Sequence, residues 1–384
     1  MVNPALKSRG YEGKIASYEQ GLRFINQETQ PEGWGRLHLV LGNTYYECGK
    51  RYSAPKEYWN KAQHEYQQAL LTLTLETEPQ LYLEVLQQLT MVLLGLAEAA
   101  QAQEVQTNAT DLWWKLLLSE NRSDEKKKQL ALKFTPLAQL AVDVAVARGE
   151  LLSGLEIAEH VKNACFTWQY YGWTEEMASP NYVEMQKLLN PSTAIVFWHI
   201  SPYAFRTFIV KHKATEPIPI FTPVLNISND ELPLPEAVQR LVEFEDWLKD
   251  WHLQYQDYGS YTQEKQNKSN HSWRKLMEQK LLKLQQILNI SAISRELEGI
   301  NNLILIPHRD LHKLPLHALF SLDSDSAFTG NISYLPSFKL GLMQQSQSAN
   351  LTEIIHFKRR ISQQQRIFYT TVWQTRIRSS QPIF

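Results

Sequence analysis

Leu303-Ile-Leu-Ile-Pro-His-Arg-Asp-Leu-His-Lys-Leu-Pro-Leu-His-Ala-Leu319 sets a short unbroken apolar run against a turn crowded with polar side chains. Four apolar residues stopped by Pro307 have the pattern of a strand buried on both faces. The polar turn after it satisfies its own backbone, and a helix is expected near Leu314, with Leu314, Leu316 and Leu319 facing a core. A buried strand running into a turn and a helix belongs to an α/β layer.

The sequence on either side supports that assignment. Ala194-Ile-Val-Phe-Trp198 and Tyr203-Ala-Phe-Arg-Thr-Phe-Ile-Val210 are rich in aromatic and β-branched residues, with Ser201-Pro202 between them, and predict a hairpin. Helices are expected over Glu236–Tyr255 and Ser272–Leu288, joined by a mobile polar loop, Gln256–Asn270. Ser333-Tyr-Leu-Pro-Ser337 predicts a further short strand and turn.

Upstream, from about Tyr11 to Trp173, the pattern is helical throughout. Leu81, Val85, Leu89, Leu93, Leu96 and Ala100 form one stripe of a long amphipathic helix. Pro136 is expected to start or kink a helix. Asn108-Ala-Thr-Asp and Ser123-Asp-Glu mark helix starts, Gly149 and Gly172 helix stops. Leu41-Gly42-x-x-Tyr45 followed by Ala62-x-x-x-Tyr66-x-x-Ala69 has the small and aromatic spacing that packs two antiparallel helices closely. These residues resemble a tetratricopeptide repeat, although the interval between the halves is about eight residues too long for the 34-residue period. Leu94-Gly95 and Gly154-Leu-Glu-Ile-Ala158 echo it weakly. An irregular helical bundle is the alternative.

Composition bounds the classes of function. With 384 residues, 43% hydrophobic and 21% charged, the chain has room for two or three folded domains and is not a disordered polymer. Met91–Ala97 is among its longest apolar stretches, far short of the roughly 20 residues a membrane helix needs. The first ten residues have no apolar core, so no signal peptide is expected. Cys48 and Cys165 are too few for a disulfide framework, which favours a cytoplasmic location. A net charge of −1 gives no reason to expect nucleic-acid binding. That value hides an asymmetry: residues 354–384 hold six basic side chains and no acidic one, against 33 basic and 40 acidic in the rest.

Several constellations invite a chemical interpretation. His308, His312 and His317 lie within ten positions, and imidazoles are common zinc ligands. Pro315 interrupts any helix that would align His312 with His317, and Asp310 is the one carboxylate nearby, so no metal or cofactor is assigned. His308-Arg309-Asp310-Leu311 also spells the start of a protein-kinase catalytic loop, but Pro315 stands where that loop needs a magnesium-binding Asn. No glycine-rich phosphate loop accompanies it. Cys48 and Cys165 are expected to be packed small residues rather than nucleophiles. The residues alone reveal no active site.

The run from Leu303 to Leu319, with Tyr334-Leu-Pro-Ser337, the Pro191-Ser-Thr-Ala-Ile-Val segment and the Ala158–Tyr171 helix, resembles the CHAT family, caspase-like domains associated with tetratricopeptide repeats. The motif residues are Pro307, His308, Asp310, Leu311, His312, Pro315, His317, Ala318 and Leu319; Leu41, Gly42, Tyr45, Ala62, Tyr66 and Ala69 are the repeat-packing residues. The resemblance implies a helical repeat domain over residues 1–176, followed by an incomplete α/β, caspase-like domain over 177–342. A basic tail occupies 343–384. Active members carry a cysteine-peptidase dyad, a His-Gly and a later Cys in a Ser-Ala-Cys-x-Thr-Gly context. Here His356 precedes Phe357, and no cysteine follows Cys165, so no catalytic residue carries over. The tail is expected to be a frame-shifted or disrupted replacement for the catalytic half, or else a native basic segment. The function this implies is protein binding through the helical repeats, where Trp34, Tyr45, Trp59 and Tyr66 are candidate contributors. Alternatives are a pseudo-enzyme regulator or subunit of a caspase-like system, and a metal-dependent enzyme built on His308, Asp310 and His312.

Overall fold

The structure, a computed structural model, describes residues 10–118, 123–170, 178–220, 234–260, 271–322 and 328–346. The tail beyond Ser346, Gly172 and residues 261–270 of the expected loop lie outside them, and the first residues given to the tail, 343–346, belong to a helix. The chain divides into two compact units, one chiefly of the residues up to Pro180 and one chiefly of residues 181–220 and 235–340. The first is helical and the second α/β.

The helical unit runs α1 (Gly10–Leu22), α2 (Pro31–Arg51), α3 (Pro55–Ala69), α4 (Pro79–Gly95), α5 (Ala99–Leu118), α6 (Asp124–Ala147) and α7 (Leu151–Tyr170). Prolines open α2, α3 and α4, where the missing N–H is no loss. Gly35, Gly42 and Gly49 recur every seven residues on α2 and face Leu73, Tyr66 and Trp59, which recur every seven in the opposite sense on and just beyond α3. A Cβ at Gly42 would sit 2.6 Å from the Tyr66 ring, and one at Gly95 on α4 would sit 2.6 Å from the Trp59 indole. The bare backbone thus seats two large rings that are 0% and 1% exposed. The long α2 explains the stretched interval in the sequence. Hairpins begin at residues 31, 79 and 124, wider apart than a 34-residue period.

Two local expectations fail here. The Leu81–Ala100 stripe is not one helix: α4 stops at Gly95, and Ala97 turns left-handed at φ 65°. Glu98 N–H bonds Leu93 O (2.8 Å) and Ala97 N–H bonds Leu94 O (3.1 Å), the paired closure that satisfies a helix end. Asn108-Ala-Thr-Asp lies inside α5, where the buried stripe of Ala102, Gln106, Ala109 and Trp113 overrides the capping signal. Of the two roles expected for Pro136, starting a helix is excluded, since it lies inside α6 near buried Phe134 and Leu137. The stop at Gly149 is present, at φ 82°, and α6 does start after Ser123. Among the described helices α6 alone is long and apolar enough to cross a membrane, and over half of that stretch is buried in the protein.

The α/β unit holds α8 (Tyr182–Met185), β1 (Thr193–Ile200), β2 (Phe205–Lys211), β3 (Ile218–Pro219), α9 (Glu236–Ser260), α10 (Ser272–Ile287), α11 (Ile290–Glu296), β4 (Asn302–Ile306), α12 (Leu316–Leu319), β5 (Asn331–Tyr334) and α13, which begins at Phe338 and ends at Ser346. The sheet order is β3-β2-β1-β4-β5. β1 and β2 form the antiparallel hairpin, while β4 and β5 add in parallel. All eight residues of β1 are buried, as a central strand requires. Val196, Trp198, Leu303 and Leu305 meet Leu241, Phe244, Leu284 and Leu316 in one core. α9 continues through Ser260, so Gln256–Ser260 is helical rather than loop. Arg240 of α9 closes the end of α10, its Nε donating to Ile287 O and its Nη2 to Leu288 O, both at 2.8 Å.

Candidate functional site

β1 and β4 are parallel neighbours, and the chain leaves β1 toward β2 on one side before returning as β4 on the other. Their carboxyl ends therefore flank the switch point at which open α/β sheets place ligands. Two histidines meet there. His199 on β1 is 1% exposed. Its ring stacks on that of His308, two residues past β4, with centroids 5.1 Å apart and planes 11° apart. Ile200 N–H donates to His308 Nδ1 at 2.9 Å. That nitrogen keeps its lone pair, so the neutral ring carries its proton on Nε2. The bond ties the end of β1 to the turn after β4.

The turn continues as a 3-10 segment, Arg309–Lys313. Arg309 is left-handed at φ 53°, a conformation that costs a β-carbon-bearing residue about 1 kcal/mol or more. It is held on one side by the His308 bond and on the other by buried Asp310 and Leu311. Lys313 Nζ pairs with Asp310 Oδ1 at 3.1 Å. Leu311, Leu314, Leu316 and Leu319 all enter the core. Pro307 is buried, while Pro315 and Ala318 are half-buried around α12.

The three motif histidines diverge. His308 faces β1, whereas His317 faces β5: its N–H donates to Tyr334 Oη (2.8 Å) and its Nδ1 lies 3.0 Å from the same oxygen. Burial raises the Tyr334 phenol above its ordinary pKa, against the lowering effect of the His317 backbone bond. His312 is half-buried. Among the described residues no three His, Cys, Asp or Glu side chains gather as a metal set, so His308, Asp310 and His312 do not form one.

No activated nucleophile stands at these strand ends among the described residues. The Ser201 hydroxyl is engaged by the hairpin turn, accepting from Tyr203 N–H (3.0 Å) and Ala204 N–H (2.9 Å). Both cysteines belong to the helical unit. Burial pushes the Cys48 thiol on α2 up to about 11 and the Cys165 thiol on α7 up to about 12, the opposite of what a thiolate nucleophile needs.

In the helical unit, Leu41, Gly42, Ala62, Tyr66 and Ala69 are buried between helices, and Tyr45 is half-buried with its hydroxyl donating to Glu19 Oε1 at 3.3 Å. Of the four aromatics proposed for binding, Trp59 and Tyr66 are core; Trp34 and Tyr45 reach the surface. The Trp34 ring lies edge-on to His38, which bonds Glu65 across α2 and α3 at 2.6 Å.

Two residues of the strand-end site were not singled out from sequence, His199 and Tyr334 as a bonding partner. The signal for His199 was available: a lone polar residue near the end of the apolar run 194–200. No family model matches the chain, and no curated protein matches it.

Proposed function

We propose that this chain is a non-hydrolytic, protein-binding relative of the CHAT family. In this reading the helical unit is the tetratricopeptide-like recognition module, and the α/β unit is the caspase-like portion that bears the strand-to-helix motif. The observation that carries it is the state of the thiols: both are in helices, and burial keeps both protonated. Attack on a peptide carbonyl needs the thiolate beside a base, and His308 has its Nδ1 occupied by Ile200.

The test has two arms on the intact chain. Fluorogenic peptides should survive incubation with it; hydrolysis that disappears in Cys48→Ala or Cys165→Ala would overturn the proposal. A photo-crosslinking residue placed at Trp34 or Tyr45 should trap a discrete protein, competed away by unlabelled chain. Failure to trap any protein at either position would remove the binding function.

A second reading, a pseudo-enzyme subunit, is favoured by one feature. β5 pairs only with β4 among the described strands, and Asn331, Ser333 and Tyr334 along it are exposed. A partner subunit's strand could extend the sheet at that edge.

A further inference from the structure

Three side-chain polar atoms on one side of the sheet are buried without a hydrogen-bond partner: Trp198 Nε1, Thr207 Oγ1 and Arg240 Nη1. The residues are 0%, 1% and 2% exposed. Their nearness follows from register. Trp198 and Thr207 are directly paired across β1 and β2, and so share a face of the sheet. Phe205, two residues before Thr207, shares that face as well. The Arg240 guanidinium from α9 lies over the Phe205 ring, 4.6 Å from its centroid.

Orphaned buried donors are rare, because each costs roughly 1–3 kcal/mol when nothing accepts from it. Here two obligate N–H donors and a hydroxyl lie on residues that border one face of the sheet, and one donor belongs to a full positive charge. The two carbonyls at the end of α10 occupy Arg240 Nε and Nη2 but bring no negative charge of their own beyond the helix dipole. Among the described residues no carboxylate pairs with Arg240. Glu236, one turn earlier on α9, does not bond it, and its own Oε2 is unpaired. A guanidinium this deeply buried calls for a counter-charge.

We infer that Trp198, Thr207 and Arg240 hold a small monoatomic anion of chloride size between the β1–β2 hairpin and α9. The donor set selects that ligand. An oxyanion such as phosphate brings more acceptor oxygens than three donors can satisfy in a site without solvent, and a spherical halide has no such demand. A water molecule could satisfy the three atoms but would leave the charge unbalanced. The anion would be enclosed as the chain folds, acting as a structural ion for the α/β unit.

Bromide substitutes for chloride and is visible by its anomalous scattering. In crystals of the full chain grown in bromide, an anomalous peak is expected within hydrogen-bonding distance of Trp198 Nε1 and Arg240 Nη1. In solution, unfolding of the α/β unit should become harder as chloride replaces gluconate at constant ionic strength. Once chloride exceeds its dissociation constant, each tenfold increase should raise the folding equilibrium constant tenfold. Trp198→Phe and Thr207→Val each remove one partner and leave the charge in place, and both should weaken the chloride dependence. A site holding an ordered water with no anomalous signal would overturn the inference, as would a chloride response identical in wild type and both variants.

Discussion

Lys162 on α7 is 5% exposed, and burial pulls its ammonium down to about 7, with Glu159 acting in the opposite direction. In the unfolded chain the same group titrates near ~10.4. Between those values the unfolded state holds the extra proton, so the lysine's contribution makes stability rise with pH. Cys165 acts in the other sense. Its folded thiol titrates at about 12 and its unfolded thiol near ~8.5, so above ~8.5 it makes stability fall as pH rises. From pH 7 to ~8.5 the lysine contribution is therefore not opposed by Cys165, and its slope is up to about 1.4 kcal/mol per pH unit. Lys162→Met should flatten the stability of the helical unit across that window, read by urea unfolding at several pH values. A slope unchanged by the substitution would show that the buried ammonium does not titrate there. Residue chemistry of this kind was not legible in the sequence. Lys162 sits among polar neighbours in the linear order, and only packing removes it from water.

Elements were more legible than residues. The run Leu303–Leu319 predicted strand, polar turn and helix, and β4, the 3-10 segment and α12 follow in that order. The hairpin and the pair α9–α10 were likewise readable from local pattern, because β-branched runs and helical spacing act within a few residues. Signals for where helices begin and end fared worse when a buried stripe crossed them, as at Asn108. The close approach of α2 and α3 at Gly42 gives this scale its test. Gly42→Ala should cost about 1–3 kcal/mol through overpacking against Tyr66 and lower the thermal midpoint by several degrees. Tyr66→Leu in the same chain should return part of that loss. If Gly42→Ala melts like the wild type, the helices do not meet as closely as the Tyr66 contact requires.

At the scale of the whole molecule each unit has a hydrophobic core among the described residues, around Leu86, Trp113 and Phe134 in the helical unit and around Trp198, Leu305 and Leu284 in the α/β unit. A core of its own is what lets a unit unfold as a separate cooperative element. Scanning calorimetry should accordingly resolve two transitions. Gly42→Ala should move one, and Leu305→Ala, which empties a fully buried site, should move the other by the equivalent of roughly 2–5 kcal/mol. A single transition shifted by both variants would show the two units unfolding as one.

While β3, α8 and α11 were not read from it, the sequence by itself determined the change from a helical half to an α/β half and the presence of the β1–β2 hairpin, β4 and a short strand near Tyr334. Those features come from periodicity and turn chemistry, which act over a handful of residues. Tertiary structure alone decided that His308 meets His199 and Ile200, that His317 turns instead to Tyr334, and that Arg240 packs over Phe205 on the face that Trp198 and Thr207 share. Ile200 and His308 lie 108 positions apart, and only the parallel register of β1 with β4 brings them within a hydrogen bond. Side-chain partners at that separation are set by which faces the elements bury, a property of the packed chain and not of any stretch of it.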